Sequence, residues 1–226
     1  MRVIRLHEIS SFVACLVLAA LIGWGFVDLL GHVVQFEKHQ DIFDGVAFLL
    51  SSFAVLMVIY KLLVIFAPIP KGELGHSVGH SWRYHIHTLF YLMVFQPLLI
   101  SGIMPIPMRR GYFQLMGAKL GENVYPAGVL LDPLFIEIGD FCVVGFKSLI
   151  CPHVHVGGVI THLPIKIGRR VTIAVGATIY GGTIIEDDAR VLPHAVVNPN
   201  THIKKGEVWG GIPARRIMPR HHEKSA

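Results

Sequence analysis

The chain has 226 residues, of which 53% are hydrophobic and only 15% charged, with a formal net charge of +5. An average soluble domain carries about 25% charge, so part of this chain is built for an apolar medium. Long basic runs interleaved with aromatics are missing, which argues against a nucleic-acid partner. The three cysteines (Cys15, Cys142, Cys151) form no CxxC pair, so no disulfide framework is expected.

Taken in chain order, residues 9–27 and 45–60 carry no charge, and the second run resumes after Lys61 to residue 70. About 20 apolar residues cross a bilayer as a helix, so these two runs predict spans, with Lys61 reaching back to the interface. A third uncharged run, residues 88–108, contains Pro97, Pro105 and Pro107. Proline breaks a straight helix, so this run is expected to be a re-entrant or interfacial segment, or a kinked span. Arg2 and Arg5 precede the first span, and Lys71, Arg83, Arg109 and Arg110 follow the second. Only Lys38 lies in the stretch 35–44 between them. Basic residues favour the cytoplasmic side, so two spans, which place both ends of a multi-pass inner-membrane chain in the cytoplasm, are preferred to three, which would put Arg109, Arg110 and the C-terminal domain outside.

The second half is governed by a period of six. Ile138, Val144 and Ile150 recur at this spacing, and after a break so do Ile167, Ile173, Ile179, Ile185, Val191, Val197 and Ile203. Four positions after each except the last stand Cys142, Ser148, Val154, Val171, Ala177, Thr183, Ala189, Ala195 and Thr201, all small or β-branched. Neither a helix nor a simple strand produces this period. Three short strands joined by tight turns make one triangular coil. Coils then stack so that the Ile/Val positions form an internal column and the smaller residues fill the narrow corners. Weaker repeats begin at Leu120. The step from Ile150 to Ile167 is out of phase, so residues 156–166 are expected as a loop thrown out of the coil, where chemistry tends to sit. Three histidines attend this break: His153, His155 and His162.

These repeats, the histidine-bearing interruption and the ending Trp209-Gly210-Gly211-Ile212-Pro213-Ala214-Arg215-Arg216 resemble hexapeptide-repeat acyltransferases. Upstream, His80-Ser81-Trp82-Arg83-Tyr84 and Tyr112-Phe113-Gln114-Leu115-Met116-Gly117-Ala118-Lys119-Leu120-Gly121 look like the elbow that joins membrane helices to such a domain. The arrangement is similar to the C-terminal membrane region of poly-lysine-synthetase-like peptide synthetases and to related membrane acyltransferases. The resemblance implies an α+β chain: N-terminal transmembrane helices followed by a left-handed parallel β-helix of hexapeptide repeats. It also implies a homotrimer with active sites between subunits. The expected divisions are a helical hairpin (1–70), a membrane-associated elbow (71–119), the β-helix (120–214) and a basic tail (215–226).

The family uses one histidine as general base, and acetyl-CoA or acyl-CoA is the implied donor, with no metal. By spacing before Pro164-Ile165-Lys166-Ile167-Gly168, His153 matches the histidine of the synthetase-like members. His162 is nearer the position used in the sugar-acetylating branch, and His155 is a third choice. The acidic residue those members carry three positions on is here Val156. Asp132, before Pro133-Leu134-Phe135, is the candidate to orient the histidine or contact the acceptor; a turn aspartate is the plainer reading. The amides of Gly176 and Ala177 are placed to hold the pantetheine arm. Lys204, Lys205, Arg215 and Arg216 are placed to meet phosphates, and Trp209 to stack on adenine or to close the column. The membrane setting points to a lipid, sugar or peptide acceptor at the bilayer. Two other readings of the fold stand beside this one. One is a metal enzyme of the β-helical carbonic-anhydrase type, although His194 and His202 do not reproduce its ligand spacing. The other is a non-catalytic trimeric membrane scaffold.

Overall fold

The computed structural model describes residues 4–34, 39–73, 78–156 and 159–217. The chain divides into two compact units, one made of residues 1–69 and 75–97, the other of residues 70–74 and 98–226. Residues 70–74 and those from 98 onward, within the stretch expected as the elbow, group with the β-helix.

In the first unit, helix α1 (Leu6–Gly31) and helix α2 (Gln40–Phe66) are each long and apolar enough to cross a membrane. Both are apolar around their whole circumference, and large side chains such as Leu21, Trp24, Leu49 and Leu50 are uncovered by protein. Ala19 and Gly23 are buried instead. A Cβ on Gly23 would overlap the Ser52 hydroxyl of α2, so the glycine permits the close approach of the two helices. Helix α3 (Val78–Phe90) runs into a wide π turn (Tyr91–Phe95), in which the Gln96 N–H donates to the Tyr91 carbonyl. Pro97 explains this turn, since it has no N–H to return to the preceding turn. Helix α4 (Gln96–Ile100) then stops short of Pro105, so the third run is broken, as its prolines predict.

Several buried polar groups of this unit are paired. Glu8, fully buried, accepts from the Arg5 N–H at 2.7 Å, the Ser81 hydroxyl at 3.2 Å and His85 Nδ1 at 2.7 Å. A buried carboxylate is costly unless it is satisfied in this way. His87 Nε2 donates to the Ala67 carbonyl at 3.0 Å, and its Nδ1 lies 3.2 Å from the Tyr60 hydroxyl. Tyr60 also packs against Phe90 and Phe95, and Phe12 meets Phe90 edge-on at 5.2 Å.

The second unit is a parallel β-helix with three faces. The first face stacks Lys119–Leu120, Ile136–Ile138, Ile165–Ile167, Ile184–Ile185 and His202–Ile203. The second stacks Tyr125–Pro126, Val143–Val144, Thr172–Ile173, Arg190–Val191 and Val208–Gly210. The third stacks Val129–Leu130, Leu149–Cys151, Thr178–Tyr180 and Val196–Val197. All ten Ile/Val positions of the period are 5% exposed or less. The weak early repeats are real coils, since Leu120 pairs with Ile138, Pro126 with Val144 and Leu130 with Ile150. Of the smaller residues, Cys142, Ser148, Val171, Ala177, Thr183, Ala189 and Ala195 are buried, while Val154 has left the column.

Both ends of the column are covered. Helix α5 (Ile106–Leu115) buries Phe113, followed by Met116, and closes the first coil. Gln114, Arg110 and Arg109 donate to the carbonyls of Leu120, Gly121 and Ala127, each part of a coil that has no coil beneath it. At the far end Trp209 occupies the column position above Val191. Arg215–Arg216, expected to open a basic tail, instead fold back as an antiparallel strand on Trp209–Gly210. Residues 218–226 lie outside the described residues. Truncating the centre of the column by Ile179→Ala should cost about 2–5 kcal/mol, read from the denaturation midpoint in detergent, because stacked coils leave little room for collapse.

Candidate active site

The break in the repeat follows from the register. Ile167 pairs with Ile185 eighteen positions on, but with Ile138 twenty-nine positions back. Eleven extra residues therefore leave the coil between the third face and the first. They form an antiparallel hairpin, His153–Val156 with Val159–His162, rather than the expected irregular loop. The signal for it was present in the sequence: two β-branched, histidine-bearing runs separated by Gly157-Gly158 fit a two-residue hairpin connection.

Asp132 lies on the same edge one coil earlier, between Val129–Leu130 and Ile136–Ile138. It occupies the left-handed backbone region (φ 44°) at the start of the 3-10 turn Pro133–Phe135. Its carboxylate accepts a hydrogen bond from His153 Nδ1. A bond across twenty-one positions is thus a contact between neighbouring coils. Asp132 and His153 are each about one-fifth exposed, so the pair borders solvent without being immersed in it. With Nδ1–H bound to the carboxylate, Nε2 is the nitrogen left to accept a proton.

The other two histidines play different parts. His162 sits opposite His153 in the hairpin and is fully buried, stacked on Phe135 at 4.7 Å. Its ring lies edge-on beneath His153, with centroids 6.3 Å apart. His155 is exposed, and its ring meets that of His153 at 5.4 Å. Phe135, Cys151 and Gly181 complete the surroundings and were not singled out from the sequence. Cys151 is buried and its thiol donates to the His153 carbonyl at 3.4 Å. A Cβ on Gly181 would overlap the Pro152 carbonyl, so only glycine lets the next coil pass the foot of the hairpin.

The expected donor-binding residues do not come together on one edge. Lys204 and Lys205 lie in the turn between the first and second faces, whereas Gly176 and Ala177 lie in the turn between the second and third. The Gly176 and Ala177 amides already donate to the Phe146 and Ala174 carbonyls, which removes the contact expected of them. Trp209 Nε1 donates to Glu207 at 2.9 Å, and Arg216 pairs with the same carboxylate at 3.3 Å. Lys204, Lys205 and Arg215 remain as exposed cations near the last coil.

Environment drives the two inner imidazoles apart. The hydrogen bond to Asp132, with a smaller contribution from Cys151, pushes His153 up to about 10, while burial pushes His162 down to about 4. His153 is therefore a strong base that holds its proton at neutral pH, and His162 stays neutral. The stabilisation from the Asp132 pair is fully present below the ordinary imidazole value of 6.5 and is lost as pH rises through about 10. NMR titration of labelled histidines should show one imidazole titrating near 10 and another near 4. In Asp132→Asn the first should fall toward the ordinary value of about 6.5. A high titration that survives this substitution would contradict the pairing.

No family model matches the sequence. Over 43 residues the chain is 49% identical to gamma carbonic anhydrase 1, mitochondrial, of Arabidopsis thaliana, covering 19% of this chain and 16% of that protein. Over 183 residues it is 26% identical to delta-poly-L-ornithine synthetase of Acinetobacter baumannii, covering 76% of this chain and 12% of that protein. The chain thus spans a small part of the length of these curated relatives. Among solved structures it is similar to a hexapeptide-repeat acetyltransferase of Vibrio cholerae O1 biovar eltor in complex with acetyl coenzyme A. The TM-score is 0.51 at 19% identity, over 70% of this chain and 97% of the other. Two long apolar helices followed by a left-handed parallel β-helix, similar to that of the solved acetyltransferase, is therefore the fold of this chain.

Proposed function

We propose that this chain is a membrane-anchored acyltransferase that moves an acyl group from acetyl-CoA or acyl-CoA to a hydroxyl or amine of an acceptor at the bilayer. The observation that carries this reading is the Asp132–His153 pair, set at the one edge where the repeat opens. In the fraction of the protein whose His153 is neutral, a fraction that grows as pH rises toward about 10, Nε2 takes the proton of the acceptor, and the acceptor oxygen or nitrogen attacks the thioester carbonyl. The carbon–sulfur bond then breaks, and the departing CoA thiolate receives the proton back from the imidazolium. Asp132 stays charged throughout, holding the ring and stabilising its cationic form. His162 forms the neutral floor under that ring, and His155 faces the solvent side. Lys204, Lys205 and Arg215, with Arg216 beside Glu207, supply cations for the donor phosphates. Trp209 more plainly closes the column. A homotrimer would bring the last coils of one subunit toward the hairpin of another.

Helices α1 and α2 support the anchor, and the Lys/Arg distribution supports a β-helix facing the cytoplasm. A lipid, lipid-linked sugar or peptide acceptor follows from that location.

The short match to a gamma carbonic anhydrase raises a metal-dependent alternative. A catalytic zinc takes three protein ligands. Among the described residues of one chain, no three His, Cys, Asp or Glu side chains form a group that could hold an ion, and Asp132 engages His153 Nδ1.

Membranes containing the full chain, given labelled acetyl-CoA or a long-chain acyl-CoA, should incorporate label into lipid or soluble acceptors. His153→Ala should lower the rate about 100-fold or more, the usual weight of a general base. Equal rates in wild type and His153→Ala, or label lost only in His162→Ala, would contradict the assignment. Stoichiometric zinc in the purified protein, with carbon dioxide hydration in place of transfer, would favour the metal reading.

A further inference from the structure

The hairpin that carries the histidines does not stand alone. A two-stranded hairpin is marginal in water, and a third strand is what makes such a sheet stable. Here the third strand comes from far upstream. Gly72–Glu73 pairs antiparallel with Val159–His162, placing Gly72 opposite His162 and Glu73 opposite Thr161. Val159–His162 is thereby the central strand, bonded to His153–Val156 on its other side. His162 is the register point where all three strands meet, since both Gly72 and His153 stand opposite it. Its buried ring, stacked on Phe135, is the floor under the His153 ring.

Gly72 has a backbone conformation that few residues tolerate, with φ at +83°. No atom lies within 4 Å of the position a Cβ would take, so the requirement for glycine here is one of backbone conformation and not of space. Five residues separate the end of α2 from the start of this strand. The segment leaving the second apolar helix is therefore hydrogen-bonded into the sheet that presents the candidate base.

We propose that Gly72–Glu73 is a positioning strand for the histidine hairpin and that Gly72 is its positioning residue. By docking on Val159–His162 it fixes the backbone of His162, and through that ring the angle at which His153 meets Asp132 and the acceptor. This rests on the reading of His153 as the base. The strand acts through the hairpin.

The test compares full-length wild type, Gly72→Ala, Gly102→Ala and His153→Ala in detergent or native membranes. Gly102 is a control with the same kind of backbone (φ +73°) and equally open surroundings, away from the hairpin. In Gly72→Ala the amides of residues 159–162 should exchange with deuterium about tenfold faster or more, while those of the Ile/Val column hold their protection. Turnover at saturating acetyl-CoA should fall about tenfold or more with the donor KM within about twofold, the signature of a displaced catalytic group. The alkaline limb of the pH–rate profile should move down as His153 loosens from Asp132. Gly102→Ala should change none of these. Unchanged exchange at 159–162, or faster exchange with unchanged turnover, would overturn the proposal. If His153→Ala keeps full turnover while Gly72→Ala does not, the base assignment falls and the positioning strand stands. If His153→Ala is inactive while Gly72→Ala is normal, the reverse holds.

Discussion

Each coil of the β-helix must return the chain to the same three inward positions, because the column of Ile and Val above and below leaves no other place for them. Ile150 and Ile179 pair directly although twenty-nine positions separate them. The extra residues therefore cannot be absorbed along a face and are expelled at an edge. That edge also holds Asp132 from the coil before and Gly181 from the coil after. The packing rule that builds the core thus decides where the histidines emerge and which carboxylate they meet. A rigid scaffold displaying an irregular insertion is a common way to hold a reactive group within the small tolerance that catalysis demands.

The chemistry of the edge comes from contrast between neighbours. His153 and His162 face one another across the hairpin, yet one has a carboxylate partner and the other a buried setting against an aromatic ring. The first is held toward its charged form and the second toward its neutral form. Two titratable groups pushed in opposite directions by their surroundings mark a division of labour. His162 suits a supporting role, because a neutral ring stacked on Phe135 can bear against His153 without competing for its proton. His155, on the open side, is free of that constraint.

Much of this was legible from the residues alone. The six-residue period located the column, and each of its ten members is buried. The phase break located the hairpin, and the uncharged runs located α1 and α2. Pairing across coils was harder to see. Asp132 was a candidate by its place before Pro133, but its bond to His153 depends on which coil lies above which, and the insertion obscures that count. The Gly72–Glu73 strand is shorter than any periodic signal and pairs with residues nearly ninety positions away, so no local pattern announces it. The contacts expected of Gly176 and Ala177 failed because spacing does not reveal whether an amide is already bonded within the coil. Glu8 escaped notice for a related reason: its partners Ser81 and His85 are distant in sequence, and a glutamate near a helix start reads first as a cap.

The most direct measurement is the pH dependence of acyl transfer from labelled acetyl-CoA by wild-type chain and by Asp132→Asn, both in membranes. If Asp132 sets the basicity of His153, the wild-type rate should rise toward an apparent pKa near 10. In the variant that limb should shift toward about 6.5, with a lower plateau. Superimposable profiles, or a wild-type rate that is flat from neutral to alkaline pH, would contradict a catalytic Asp132–His153 pair.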